Sequence, residues 1–150
     1  MAHSYSSLLF HCTFSTKDRE KSIAPELQEK LWPYLGGIAR TNGLTALGVG
    51  GIEDHVHLLL SLPATLSVSK TMQLLKGGSS KWIHETFDDY ETFQWQEGYG
   101  AFSIGISGVE STLAYIANQK KHHAKLDFKD EFRAFLKKHR ISFDERYIWK

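Results

Sequence analysis

The chain has 150 residues, 41% of them hydrophobic and 23% charged, with a formal net charge of +1. That is ordinary globular composition in a chain long enough to bury a core, read as one domain over 1–150, and it excludes disorder as the organising state. Cys12 is the only cysteine, which excludes an intramolecular disulfide framework. No apolar run reaches bilayer length, and the first residues lack the charged-then-apolar plan of a secretory signal. The expectation is a cytoplasmic protein without a membrane segment.

In chain order, "SYSSLLFHCTFST" alternates and is rich in aromatic and β-branched residues, predicting a first strand over 4–15. Pro25 opens a helical pattern in which Leu27, Leu31, Leu35 and Ile38 recur at near-helical spacing. It ends near "TNG" at 41–43, with a distortion expected at the internal Pro33. "LTALGVGGI" (44–52) and "DHVHLLLSL" (54–62) read as two strands joined by a tight connection, the second stopped by Pro63. Ser67 is a plausible N-cap for a long helix to about residue 87, with Val68, Met72, Leu75 and Ile83 on one side. Its centre, "KGGSSKW", carries two glycines expected to mark a bend or a close approach. "AFSIGI" (101–106) is a fourth strand, "ESTLAYIANQKKHHAK" a third helix, and 129–139 a last one.

The order β-α-β-β-α-β followed by helices predicts an α+β chain with the ferredoxin-like, split βαβ arrangement. This is an antiparallel sheet with two helices on one face and a C-terminal tyrosine-bearing helix. The strand at 54–62 is then central. Val56, Leu58 and Leu60 pack on the two helices, while His55 and His57 lie on the opposite face, which needs a ligand, a second subunit or the C-terminal helix to cover it.

His55 and His57 share one strand face with Cα atoms roughly 6.6 Å apart, close enough for both rings to converge on one ion. An isolated H-x-H equally suits polar residues on the outer face of a half-buried strand. Tyr115 and Gln119, four apart on a helix, share a face one turn from each other. Alone, they equally suit a packed tyrosine and a solvated glutamine. Joined to the histidines they make chemical sense: two neutral imidazoles and an amide oxygen leave the full double charge on a divalent ion, and a phenol beside that ion can attack phosphorus. Such a reaction conserves the phosphodiester energy in a phosphotyrosine link, which suits strand transfer.

"DHVHLLL" followed some sixty residues later by "YIANQ" resembles the small single-tyrosine transposases of bacterial insertion sequences, the IS200-like family of the HUH nuclease class. "HCTFSTKDRE", "LKGGSSKWI", "FQWQEGYGAFSI" and "FLKKHRISFDERYIW" extend the resemblance over nearly the whole chain. The resemblance implies His55, His57 and Gln119 as ligands of Mg²⁺ or Mn²⁺. It implies Tyr115 as the nucleophile forming a 5′-phosphotyrosine on single-stranded DNA with hairpin ends. It also implies a homodimer in which the tyrosine helix of one subunit completes the site of the other, with Gly105 and Gly108 suited to a hinge. A related branch acting on repetitive extragenic palindromes tends to carry Asn-Pro after the tyrosine motif, where this chain reads "ANQKKHH". The competing reading is a non-catalytic or domesticated nucleic-acid-binding protein on the same fold.

Residues 120–140 hold eight Lys or Arg against three acids, a basic stretch that suits phosphate contacts or a solvated helix face. Lys76, Lys81, Lys120 and Lys121 are candidate backbone contacts, and Phe93, Trp95 and Tyr99 either stack on bases or fill the core edge. His122, three residues from Gln119, suits a substitute ligand or a phosphate contact but reads first as solvated, as does His123; Cys12 reads as a small core residue and Asp54 as a turn residue.

Overall fold

Alternation in the first strand decides the layout. In the computed structural model, which describes residues 3–150, β1 spans Leu9–Ser15. It sends Phe10, Cys12 and Phe14 to one side and His11, Thr13 and Ser15 to the other, every one of them buried. The remaining elements are α1 (Pro25–Thr41), β2 (Thr45–Ile52), β3 (His55–Ser61), α2 (Val68–Thr86), β4 (Gly100–Ile104), α3 (Val109–Ala117), α4 (Gln119–His123) and α5 (Phe128–Lys138). The strands lie in the order β2-β3-β1-β4 with every neighbouring pair antiparallel, which is the split βαβ topology. No described helix is long and apolar enough to cross a membrane.

One sheet face carries the main core. Phe10, Cys12 and Phe14 of β1 and Val56, Leu58 and Leu60 of β3 pack on Leu27, Leu31 and Leu35 of α1 and on Met72, Leu75 and Ile83 of α2. Full burial of such side chains contributes roughly 1.5–3 kcal/mol each. Pro25 starts α1, and the helix runs through Pro33 without a break. The Ser67 hydroxyl caps α2 by accepting from the Lys70 amide at 3.1 Å. Of its two central glycines, Gly78 marks a close approach: a Cβ there would meet Ile38 of α1 at 3.1 Å, while one at Gly77 would meet nothing.

Strand register fixes the composition of the second face. His11 stands opposite Leu59 and Phe102, Thr13 opposite His57 and Gly100, and Ser15 opposite His55. On the outer strand, Gly50 faces His57. This face is covered by α3 and by α5, whose Phe128, Phe132 and Leu136 form a second buried cluster with Phe102. The approach of α3 depends on glycine. A Cβ on Gly48 would lie 2.6 Å from Leu113, and one on Gly50 would lie 2.7 Å from the Ile116 carbonyl oxygen. The helix thus rests directly on bare backbone.

Three sequence expectations need correction. The first strand begins at Leu9 rather than residue 4, because both neighbours run out there: Leu9 pairs with the last residue of β3 and the last of β4. The fourth strand is Gly100–Ile104 rather than 101–106, since a short 3₁₀ turn over Ile106–Gly108 follows it. The third helix is not continuous: Asn118, at φ −101° and ψ 25°, separates α3 from α4. The Gln119 side-chain amide donates to the Tyr115 carbonyl at 3.0 Å, the acceptor that the backbone N–H of residue 119 would use in an unbroken helix.

The glycine floor under α3 gives a direct expectation. Gly50→Ala forces the Ile116 backbone outward and should destabilise the fold by about 1–3 kcal/mol. Chemical denaturation checks this, and an unchanged midpoint would contradict the packing described.

Candidate metal and nucleophile site

β3 is buried on both faces, so its two histidines are fully enclosed, each at 0% exposure. Buried imidazoles need partners for both ring nitrogens. For His55, Nδ1 lies 2.7 Å from Asp54 Oδ1 and Nε2 lies 3.1 Å from Gln119 Oε1. For His57, Nδ1 lies 2.8 Å from His11 Nε2, and Nε2 lies 2.9 Å from Glu131 Oε1. Asp54, in the β2–β3 turn, therefore fixes the tautomer of His55. His11 can pair with either tautomer of His57, donating to one and accepting from the other.

Glu131 sits at the centre of the arrangement. It comes from the buried stripe of α5, where it lies between Phe128 and Phe132, and is 2% exposed. Its Oε1 also lies 3.6 Å from His55 Nε2. Its Oε2 accepts from the Tyr115 hydroxyl and lies 3.1 Å from His123 Nε2 and 3.2 Å from His122 Nε2. Burial alone would push this carboxyl up, but hydrogen bonds from His123 and His57 outweigh it and hold the group well below the usual carboxylate range. Burial holds His57 at about 4 and His11 at about 3, so both are neutral. Burial first, and then the adjoining Glu131 carboxylate, push the Tyr115 phenol up.

The donor chemistry suits a divalent cation. With its Nδ1 held by Asp54, His55 turns Nε2 inward. The Gln119 amide is committed to the Tyr115 carbonyl, so its oxygen turns to the same point. His55 Nε2 thus faces the Gln119 oxygen at 3.1 Å and Glu131 Oε1 at 3.6 Å, a convergence of nitrogen and oxygen donors that suits a divalent cation. The ligand atoms of His55, His57, His123 and Glu131 all lie within 4.8 Å of one another.

All four residues expected from sequence thus gather in one place, and within one chain: the Tyr115 ring centroid lies 5.6 Å from that of His57. Three participants were not expected. His11 is hidden by being a single histidine in an aromatic strand, although its alternation with Phe10 and Cys12 put it on the histidine face. Glu131 is signalled only by its place in the stripe Phe128–Glu131–Phe132–Leu136. His123 is not solvated: its side chain is 4% exposed, with Nδ1 2.5 Å from the Leu126 carbonyl oxygen, because the chain turns after α4 and folds the ring back onto Glu131. His122 is only partly exposed and lies 3.1 Å from the Tyr115 hydroxyl.

Other candidates fall elsewhere. Phe93 and Trp95 are buried and pack edge-to-face on each other, with Trp95 also against Phe14, so they belong to the core. Tyr99 is 36% exposed. The Lys76 ammonium donates to the carbonyls of Glu97 and Gly98, and burial lowers it to about 8. Lys81 pairs loosely with Glu85 on the surface. Lys121 and Lys125 line a depression of about 690 Å³ that opens onto Tyr115 and His122. Cys12 is buried in the core.

This α+β fold, a four-stranded antiparallel sheet with helices on both faces, is shared with solved transposases. A solved transposase from Deinococcus radiodurans R1 superimposes with a TM-score of 0.66 at 25% identity, covering 79% of this chain and 96% of that one. A REP-associated tyrosine transposase bound to a REP hairpin shares the fold, with a TM-score of 0.61 at 14% identity over 84% of this chain and 74% of that one. The transposase for insertion sequence element IS200 of Salmonella typhimurium LT2 is 28% identical over 132 residues, 85% of this chain and 84% of its own. The ISDra2 transposase TnpA of Deinococcus radiodurans is 28% identical over 88 residues, 59% of this chain and 63% of its own. The sequence profile described as "Transposase IS200 like" matches residues 4–119. The chain belongs to the IS200-like transposase family.

The neutral histidines set a pH dependence. His11 and His57 take up protons near 6.5 when unfolded but only near 3 and 4 when folded, so stability is lost as pH falls below about 6.5. Burial pulls His123 down but hydrogen bonding to the Glu131 carboxylate raises it, so its contribution to stability is lost as pH rises rather than as it falls. In chelator, the unfolding free energy should drop by up to about 2.7 kcal/mol per pH unit between pH 6 and 4.5. His11→Gln should roughly halve that slope, and a slope unchanged by the substitution would contradict a neutral buried His11.

Proposed function

We propose that this transposase cuts and rejoins single-stranded DNA at insertion-sequence ends through a 5′-phosphotyrosine on Tyr115. His55, His57 and Gln119 would hold Mg²⁺ or Mn²⁺ beside it. The observation that carries the reading is the convergence of the Tyr115 hydroxyl on the same buried cluster as the two histidines and the Gln119 oxygen. A divalent ion, when bound, supplies Lewis-acid stabilisation of the charge that develops on the phosphate.

The chain's own residues do the rest. The Tyr115 hydroxyl already donates to Glu131 Oε2, which gives the phenol proton a place to go as the oxygen attacks phosphorus. The new P–O bond is to tyrosine, and the bond broken is to the 3′ oxygen, which leaves as a free hydroxyl after taking the proton that Glu131 received. Reversing these steps with another 3′-hydroxyl rejoins the strand. Asp54 and His11 keep the ligating rings oriented. Lys121 and Lys125, at the mouth of the depression over Tyr115, suit backbone phosphates, which give affinity without sequence information. A hairpin end is the DNA partner, and a homodimer in the cytoplasm is the working assembly. Within one chain, Tyr115 already reaches its own histidines.

The test is incubation with single-stranded oligonucleotides carrying the palindromic ends that flank the gene, in Mn²⁺, followed by denaturing electrophoresis. A covalent protein–DNA band is expected that disappears with chelator and in Tyr115→Phe. His57→Ala should abolish cleavage while leaving hairpin binding intact. An adduct that survives Tyr115→Phe would remove that residue from the role.

A further inference from the structure

Resting on the metal site of the preceding reading, we infer that Glu131 is itself a ligand of the divalent ion through Oε1. The C-terminal helix α5 then belongs to the metal centre, and the ion carries an anionic ligand besides its two imidazoles and amide.

Donor atoms bound to one ion at about 2.1 Å stand roughly 3.0–3.4 Å apart, from right-angle to tetrahedral arrangements. The separations here cluster around that range: 2.9 Å from Glu131 Oε1 to His57 Nε2, 3.6 Å to His55 Nε2, and 3.1 Å between His55 Nε2 and Gln119 Oε1. A carboxylate placed at 2% exposure on the apolar stripe of a helix is costly without a compensating charge. Among the described residues its ion-pair partners are histidines alone, with no lysine or arginine in reach. The two oxygens are divided in use: Oε1 faces the imidazoles of β3, while Oε2 faces the Tyr115 hydroxyl and the two histidines around α4.

The source of the carboxylate matters. The family profile ends at Gln119, so β3 and the tyrosine helix lie inside it and Glu131 lies outside. An anionic oxygen added to two imidazoles binds a divalent ion more tightly, while the imidazole nitrogens favour first-row ions such as Mn²⁺ over Mg²⁺.

The experiment is Mn²⁺ titration of the DNA-free protein, read by the electron paramagnetic resonance signal of free Mn²⁺. Wild type, Glu131→Gln, Glu131→Asp and Tyr115→Phe are compared. Glu131→Gln, nearly the same shape without the charge, should weaken binding by at least about tenfold, Glu131→Asp should fall between, and Tyr115→Phe should bind as wild type. Glu131→Gln and Glu131→Asp both binding within twofold of wild type would overturn the inference. Thermal melts separate ligation from scaffolding. If Glu131 only holds histidines in place, Glu131→Gln lowers the metal-free Tm and leaves the Mn²⁺-induced rise intact, which also overturns it; a reduced rise supports it. Failure of the tyrosine chemistry would appear instead as a missing covalent adduct, with Mn²⁺ binding unaffected.

Discussion

Enclosing polar side chains on both-sided β3 is the constraint to which the other elements answer. The strand is hydrophobic toward α1 and α2, but its other face carries two imidazoles, and each nitrogen taken from water must find a partner. Those partners come from four directions: the preceding turn through Asp54, the neighbouring strand through His11, α4 through Gln119, and α5 through Glu131. Glycines in β2 let α3 come low enough for Tyr115 to join them.

Much of this was legible in the sequence because it rests on local periodicity. Period-two alternation marked β1 and β3, near-helical leucine spacing marked α1, and Ser67 announced α2. The order of these elements then dictated the antiparallel sheet with β3 in its middle. His55 and His57 were findable because they share a strand, where a spacing of two encodes a shared face, and Tyr115 and Gln119 because their spacing of four keeps them adjacent even across the break at Asn118.

What escaped depends on contacts between elements. Glu131 sits in a segment where counting charges along the chain shows only a basic run; its burial is a property of the helix face, visible in the stripe Phe128–Glu131–Phe132–Leu136 but not in the window. His123 reaches the site because the chain reverses after α4, and no pattern within "QKKHH" signals that reversal. The helix break follows from a side chain competing with the backbone for one carbonyl, a contest that helix propensity does not record. Strand ends shifted for a similar reason: β1 stops where its neighbours stop.

The hydrogen bond from the Gln119 amide to the Tyr115 carbonyl has a further meaning. It ties the facing of the Gln119 oxygen to the seating of the helix that carries Tyr115. If α3 lifts away, Gln119 loses the anchor that tells its two nearly identical ends apart, and the oxygen is no longer committed to the site. The arrangement is therefore an interlock: the inward-facing Gln119 oxygen and the docked Tyr115 are held by one contact. The bond that seats the tyrosine is thus also the bond that aims the amide oxygen at the histidine cluster.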